Sequence, residues 1–145
     1  MPLAGGRLYS YEPDQPSAER MGVIAQRLVE TVKKCDKTRP VTTALNCALI
    51  SNETKYPEVL DIVGYNYQEH LYAEGHRKYP KRIIYGSENS HSLNAWLAVD
   101  TNTFISGQFL WTGIDYLGES SWPSRGSASG LLDLAGFPKP MRYYY

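Results

Sequence analysis

The chain reads as an α/β fold of parallel strands joined by crossovers, and three observations predict it. Apolar or β-branched runs span Val41–Leu45, Ile62–Tyr67, Arg82–Ser87 and Ile105–Trp111. Their starts lie roughly 20 residues apart, room for a strand, a loop, a short helix and a return, and too long for hairpins. Helix-compatible segments fill the intervals. The last three runs also exit into polar and aromatic residues: Asn66-Tyr67, Glu88-Asn89-Ser90-His91 and Thr112-Gly113-Ile114-Asp115-Tyr116. Parallel strands with polar exits at one rim point to an α/β barrel or a doubly wound sheet.

Taken in order, the first element is a helix over Ser17–Lys34. Met21, Ile24, Ala25, Leu28, Val29 and Val32 recur at helical spacing and make one apolar stripe. Ser17 is placed to cap the N-terminus, and Glu19 lies in the first turn, where the helix dipole favours an acid. Lys33 and Lys34 suit the last turn, and Pro40 forbids continuation. The segment 46–58 is loop-like, with room for a short helix. Helices are expected at Glu69–Tyr79 and Ser92–Asp100. Beyond Gly113, residues 118–127 form a long loop with no period, and turns continue to Gly136. Long ordered loops in compact domains are often functional.

Composition narrows the function classes. The 145 residues carry 15 basic and 15 acidic side chains, a net charge of zero. That balance gives no electrostatic case for nucleic acid or an anionic membrane. No apolar run approaches the ~20 residues that span a bilayer, and residues 1–7 lack the apolar core of a signal peptide. Cys35 and Cys47 have no zinc or redox spacing; a disulfide and two free thiols both fit, and free thiols are expected. Twelve tyrosines and three tryptophans fit either a stacked core or a surface that meets the apolar faces of sugars. There is no G-x-G-x-x-G or P-loop and no G-x-S-x-G nucleophile elbow. Glu69, His70, Glu74 and His76 lack a diagnostic ligand spacing, so no metal and no cofactor is expected.

The segments Asp61-Ile-Val-Gly-Tyr-Asn-Tyr67, Gly86-Ser-Glu-Asn-Ser-His91 and Phe104-Ile-Ser-Gly-Gln-Phe-Leu-Trp-Thr-Gly-Ile-Asp-Tyr-Leu-Gly118 resemble the catalytic domain of glycoside hydrolase family 2, in its β-galactosidase branch. The tail Trp122–Ser127 and Ser129–Pro140 is similar to that family's last loop and closing helix. The resemblance runs over residues 12–145. It implies a (β/α)8 TIM barrel, of which this chain holds the end of strand four, the helix after it and strands five to eight. A whole barrel takes ~250 residues. Residues 1–11 are then an atypical lead-in, 12–145 the C-terminal half of the domain, and the N-terminal domains of the parent enzyme are missing.

The resemblance also implies roles. Retaining hydrolysis needs two carboxyl groups, a nucleophile and an acid/base. Glu88 falls at the nucleophile and Glu12 at the acid/base, although Tyr11 stands where the family has Asn. Tyr67 matches a tyrosine that hydrogen-bonds the nucleophile; a donor beside a carboxylate favours the anion. His91, Trp111, Asn66 and Asp115 are implied substrate contacts, with Trp111 the floor under the reacting sugar. The plain alternatives are a surface or cap Glu88, a rim Tyr67, a structural His91 and a core Trp111. The implied function is a fragment of a retaining β-glycosidase acting on a β-galactoside-like carbohydrate, inactive on its own. A non-catalytic carbohydrate-binding or scaffold half-barrel is the alternative, and exposed strand edges leave room for homo-oligomers.

Overall fold

The computed structural model describes residues 16–144. Helix α1 spans Glu19–Cys35. Then strand β1 (Thr42–Leu45), helix α2 (Ala48–Asn52), strand β2 (Ile62–Asn66), helix α3 (Tyr72–Lys78), strand β3 (Ile84–Asn89), helix α4 (Leu93–Asp100) and strand β4 (Ile105–Leu110) follow in alternation. The four strands form one parallel sheet in the order β1-β2-β3-β4. Every strand therefore ends at the same rim, the edge where parallel α/β folds build their sites. Among the described residues, no helix is long and apolar enough to cross a membrane.

The core lies between this sheet and the helices. Leu45, Val63, Tyr65, Tyr72, Ile84 and Ile105 are buried together. Each large aliphatic or aromatic member contributes about 1.5–3 kcal/mol by leaving water. Two glycines let the layers close. Gly75 of α3 lies against the ring of Tyr65 and the Ile84 side chain, and Gly86 of β3 lies under the Tyr72 hydroxyl. On the other sheet face, Gly64 sits beside Ser87, Tyr85 and the Thr43 carbonyl.

Several elements differ from expectation. The helix begins at Glu19, with Ala18 as its N-cap; the Ser17 hydroxyl accepts only a long 3.4 Å bond from the Glu19 amide. Its apolar stripe is half covered: Leu28 is 61% exposed, and the stripe faces a groove of about 330 Å³ shared with Val41, Tyr56 and Leu60. Lys33 ties the end of this helix to Asp61 at 2.7 Å, just before β2. The expected helix at 69–79 divides into a 3-10 turn, Glu69–Leu71, and α3. The segment 46–58 holds the short α2 and the start of a 3-10 turn, Pro57–Val59. The unpatterned loop is organised by a hairpin, β5 (Tyr116–Leu117) against β6 (Gly126–Ser127). In place of a closing helix stands a 3-10 turn, Pro140–Tyr144. Cys35 and Cys47 are both free.

Strand β3 begins and ends two residues later than the apolar run predicts, so Glu88 is inside the strand rather than beyond it. A bulge makes this possible. Tyr65 pairs with Gly86 and Asn66 with Glu88, so β3 uses one more residue than β2 over that step. Between Gly86 and Asn89, β3 again runs one residue long against β4. An extra residue inverts the side-chain alternation beyond it. Ile84 and Gly86 point at the helices, and strict alternation would send Glu88 after them. Instead Asn89 takes the buried outward position.

Candidate active site

Glu88 and Tyr67 meet at the ends of two adjacent strands. The Glu88 carboxylate lies near enough to the Tyr67 phenol to act on it as a hydrogen-bond acceptor and a charge. The backbone repeats the link, the Tyr67 amide donating to the Glu88 carbonyl at 2.8 Å. Among the described residues, Tyr67 is one of two non-glycine residues with positive φ, at 53°, a conformation uncommon for bulky side chains. Such outliers cluster where surrounding structure holds them for a purpose. Burial, then the hydrogen bond and charge of Glu88, push the phenol's pKa well above the ordinary tyrosine value. Its proton therefore stays in place as a donor to the carboxylate.

Asn66 precedes Tyr67 at the rim. Its side-chain oxygen accepts a weak bond, 3.4 Å, from the Ser87 hydroxyl. His91 lies just past β3 and donates to the Thr112 carbonyl; burial and then the nearby Lys139 charge lower its pKa, which favours the neutral imidazole. Trp111 follows β4, 39% exposed, with its ring edge-on to Tyr116 at 5.8 Å. Its amide donates to the Asn89 carbonyl at 2.8 Å. Tyr116 in turn donates to Glu119 at 2.5 Å. These residues come from three successive strand exits and share one rim.

Asp115 is differently engaged. Its Oδ1 accepts from Lys139 Nζ at 2.8 Å and from the Gly130 amide at 2.7 Å, and the Lys139 bond is the main cause of its lowered pKa. Lys139 also donates to the Ala128 carbonyl at 2.8 Å. Asp115 thus pins two turns of the C-terminal segment together. Glu12 lies outside the described residues. Among the described residues, no three or more His, Cys, Asp or Glu side chains are gathered for a metal ion.

A second set of polar residues sits directly behind Glu88. Asn89 is 0% exposed; its Nδ2 donates to Gln108 Oε1 at 2.8 Å and to the Tyr72 hydroxyl at 3.1 Å. The residue pattern carries one signal for it, a polar side chain closing the helix-facing row that starts with Ile84 and Gly86. That signal is readable only once the bulge is known.

The geometry can be compared with known proteins. No protein-family model matches the chain. Among curated proteins it is similar to beta-galactosidase BoGH2A of Bacteroides ovatus, 31% identical over 175 aligned residues, covering 85% of this chain and 20% of the relative. Among solved structures it superposes on a glycosyl hydrolase family 2 member from Bacteroides cellulosilyticus with a TM-score of 0.79 and 33% identity, over 88% of this chain and 18% of that one. It also superposes on the beta-glucuronidase of Bacteroides uniformis, TM-score 0.77 and 26% identity, over 95% of this chain and 21% of that one. The chain carries a glycoside hydrolase family 2-like domain. It spans about a fifth of the length of these relatives. The family 2-like domain is an α/β unit with a parallel sheet, and its relatives process carbohydrates.

Proposed function

We propose that the chain is the C-terminal half of the catalytic barrel of a retaining β-glycosidase of β-galactosidase type. In this reading β1 to β4 are barrel strands five to eight, α1 is the helix after strand four, and residues 1–11 are a lead-in. Glu88 is the nucleophile. Its carboxylate attacks the anomeric carbon, while the acid/base carboxyl, assigned to Glu12, gives its proton to the departing oxygen. Glu12 then removes a proton from water, which attacks the glycosyl ester and releases Glu88. Tyr67 keeps Glu88 anionic and aimed by donating to it. Trp111 offers its exposed face to the sugar, and neutral His91 and Asn66 contact its hydroxyls. Asp115 serves the same site by fixing the loop that follows Trp111.

The meeting of Tyr67 and Glu88 at neighbouring strand exits, with the Tyr67 amide bound to the Glu88 carbonyl at 2.8 Å and the carboxylate acting on the phenol, carries this reading. The names of the relatives, beta-galactosidase and beta-glucuronidase, support an O-glycoside substrate. The four-stranded sheet leaves β1 and β4 as edges, and this stretch, assayed without the other strands of a whole barrel, is expected to turn over negligibly.

A 2-deoxy-2-fluoro-β-galactosyl fluoride separates the nucleophile from the rest of the machinery, because fluoride departs without a proton from Glu12. Intact mass and peptide mapping should find one glycosyl adduct, on Glu88, absent from Glu88→Gln. Labelling elsewhere, or none at high reagent concentration, removes Glu88 from that role. Sugar binding that persists without an adduct supports the alternative, a carbohydrate-binding scaffold, which the exposed ring of Trp111 also fits.

A further inference from the structure

Behind the rim, the residue after Glu88 is bound more tightly than Glu88 itself. Asn89 has no solvent exposure and closes a three-residue hydrogen-bond set with Tyr72 of α3 and Gln108 of β4. Its Nδ2 reaches Gln108 Oε1 at 2.8 Å and the Tyr72 hydroxyl at 3.1 Å, while that hydroxyl lies 3.2 Å from Asn89 Oδ1. Both amide hydrogens are thus used, in a place where an unmade bond is costly. Gly86 completes the pocket: a Cβ there would stand 2.6 Å from both the Tyr72 hydroxyl and Asn89 Nδ2.

The backbone around this set controls the site. The Glu88 carbonyl receives the Tyr67 amide, and the Asn89 carbonyl receives the Trp111 amide, each at 2.8 Å. The bulge that turns Glu88 away from the helices ends at Asn89, where β3 resumes pairing with Leu110. Sliding the strand back by one residue would put Glu88 into the Asn89 position, where it would bury a carboxylate against Tyr72 and Gln108. The amide side chain makes the bulged register the satisfied one.

We infer that Asn89 is a positioning residue, which with Tyr72 and Gln108 locks the β3 bulge and so sets both the direction of Glu88 and the seat of Trp111. The consequence for catalysis rests on the reading of Glu88 as nucleophile; the locking itself does not. Sugar contact is not required of any of the three.

The test uses the chain itself, with tyrosines labelled at Cζ and indole N–H signals recorded by NMR. Tyr67 and Trp111 are assigned through Tyr67→Phe and Trp111→Phe. Asn89→Leu keeps the volume and removes the amide; Tyr72→Phe removes one hydroxyl and keeps the ring. Both are expected to displace the Tyr67 Cζ and Trp111 indole signals. Ile84→Val, a loss of packing on the same strand face, should leave them in place. Unmoved Tyr67 and Trp111 signals in folded Asn89→Leu overturn the inference. If Asn89→Leu does not fold, Tyr72→Phe decides by the same criterion. Fluoro-sugar labelling of Glu88, run in parallel, distinguishes the two ideas: no adduct in the unmodified chain defeats the nucleophile assignment while the NMR result still judges the lock.

Discussion

The Tyr67 amide donates to the Glu88 carbonyl at 2.8 Å, and the Glu88 carboxylate acts on the Tyr67 phenol as acceptor and charge, raising its pKa. The side-chain bond alone would leave either group free to rotate. The backbone bond fixes the distance between the two strand ends, where Tyr67 takes a positive φ of 53°. Two residues 21 positions apart thereby act as one unit at the rim.

This pair should appear in alkaline titration. The Tyr67 phenol is raised far above its ordinary value, and burial lifts Tyr72 to about 12. Free tyrosines ionise near pH 10. A phenol with a raised folded pKa contributes stability that is fully present below its unfolded value and is lost as pH climbs toward the folded one. Tyrosinate absorbance should therefore show late-ionising residues that include Tyr67, Tyr72 and the Glu119-bound Tyr116, and stability should fall above about pH 10. Tyr67→Phe should remove one late step and soften the alkaline fall. An unchanged high-pH limb in that variant would mean the phenol is not held by Glu88.

Gly64 predicts a stability loss of a different origin. A Cβ at this position would stand 2.6 Å from the Ser87 Cβ and 2.8 Å from the Thr43 carbonyl, neither the end of a flexible chain. Gly64→Ala forces β1, β2 and β3 apart just below the rim. Overpacking of this kind costs about 1–3 kcal/mol, to be measured as a lower denaturation midpoint with an unchanged denaturant slope.

Much of this architecture is legible in the residues because parallel strands buried between layers must be apolar. Ile62-Val63 and Ile105 announce their strands, and the intervals between them leave room only for crossovers. The stripe from Met21 to Val32 announces α1 for the same reason. What the pattern hides is register. Arg82–Ser87 looks like the strand because its apolar residues stop at Tyr85, yet pairing continues to Asn89 through a bulge that no residue type marks. The polar cluster of Tyr72, Asn89 and Gln108 is hidden with it, since these residues lie 17 and 19 positions apart and meet only after the sheet forms. The hairpin of Tyr116–Leu117 and Gly126–Ser127 is missed because its strands are two residues long. The roles proposed for the site come from family resemblance more than from spacing: Glu88 alone is an ordinary acid at a strand end, and Asp115, an expected sugar contact, spends its carboxylate on Lys139 and Gly130.

The Asp115–Lys139 clamp should register in acid. Its partners hold the Asp115 carboxyl below the ordinary value, Lys139 first and the Gly130 amide after burial's opposing effect. A depressed folded pKa contributes stability present above the unfolded value, about 3.9, and lost as pH falls through the folded one. Asp115→Asn should lower the melting temperature at neutral pH and bring the variant and the parent chain together as the buffer is acidified. A gap that persists unchanged into strong acid would assign the effect to packing instead of charge.

Trp111 separates binding from folding. Its ring is 39% exposed and meets Tyr116 edge-on, while the sheet is held by its backbone amide, which any residue supplies. Removing the ring deletes an edge contact worth about 0.5–1.5 kcal/mol, so Trp111→Ala should stay folded with a modest fall in midpoint. Under the proposed function the loss for a sugar is larger in proportion, because the ring is a broad, exposed apolar surface that follows β4 at the rim. Galactose-dependent changes in the remaining tryptophan fluorescence, or NMR shifts at Tyr67 and His91, should vanish in Trp111→Ala and persist in Trp122→Ala, whose ring is 86% exposed on the hairpin loop. Equal loss in both would extend the sugar surface out to the hairpin, and loss in Trp122→Ala alone would move it there.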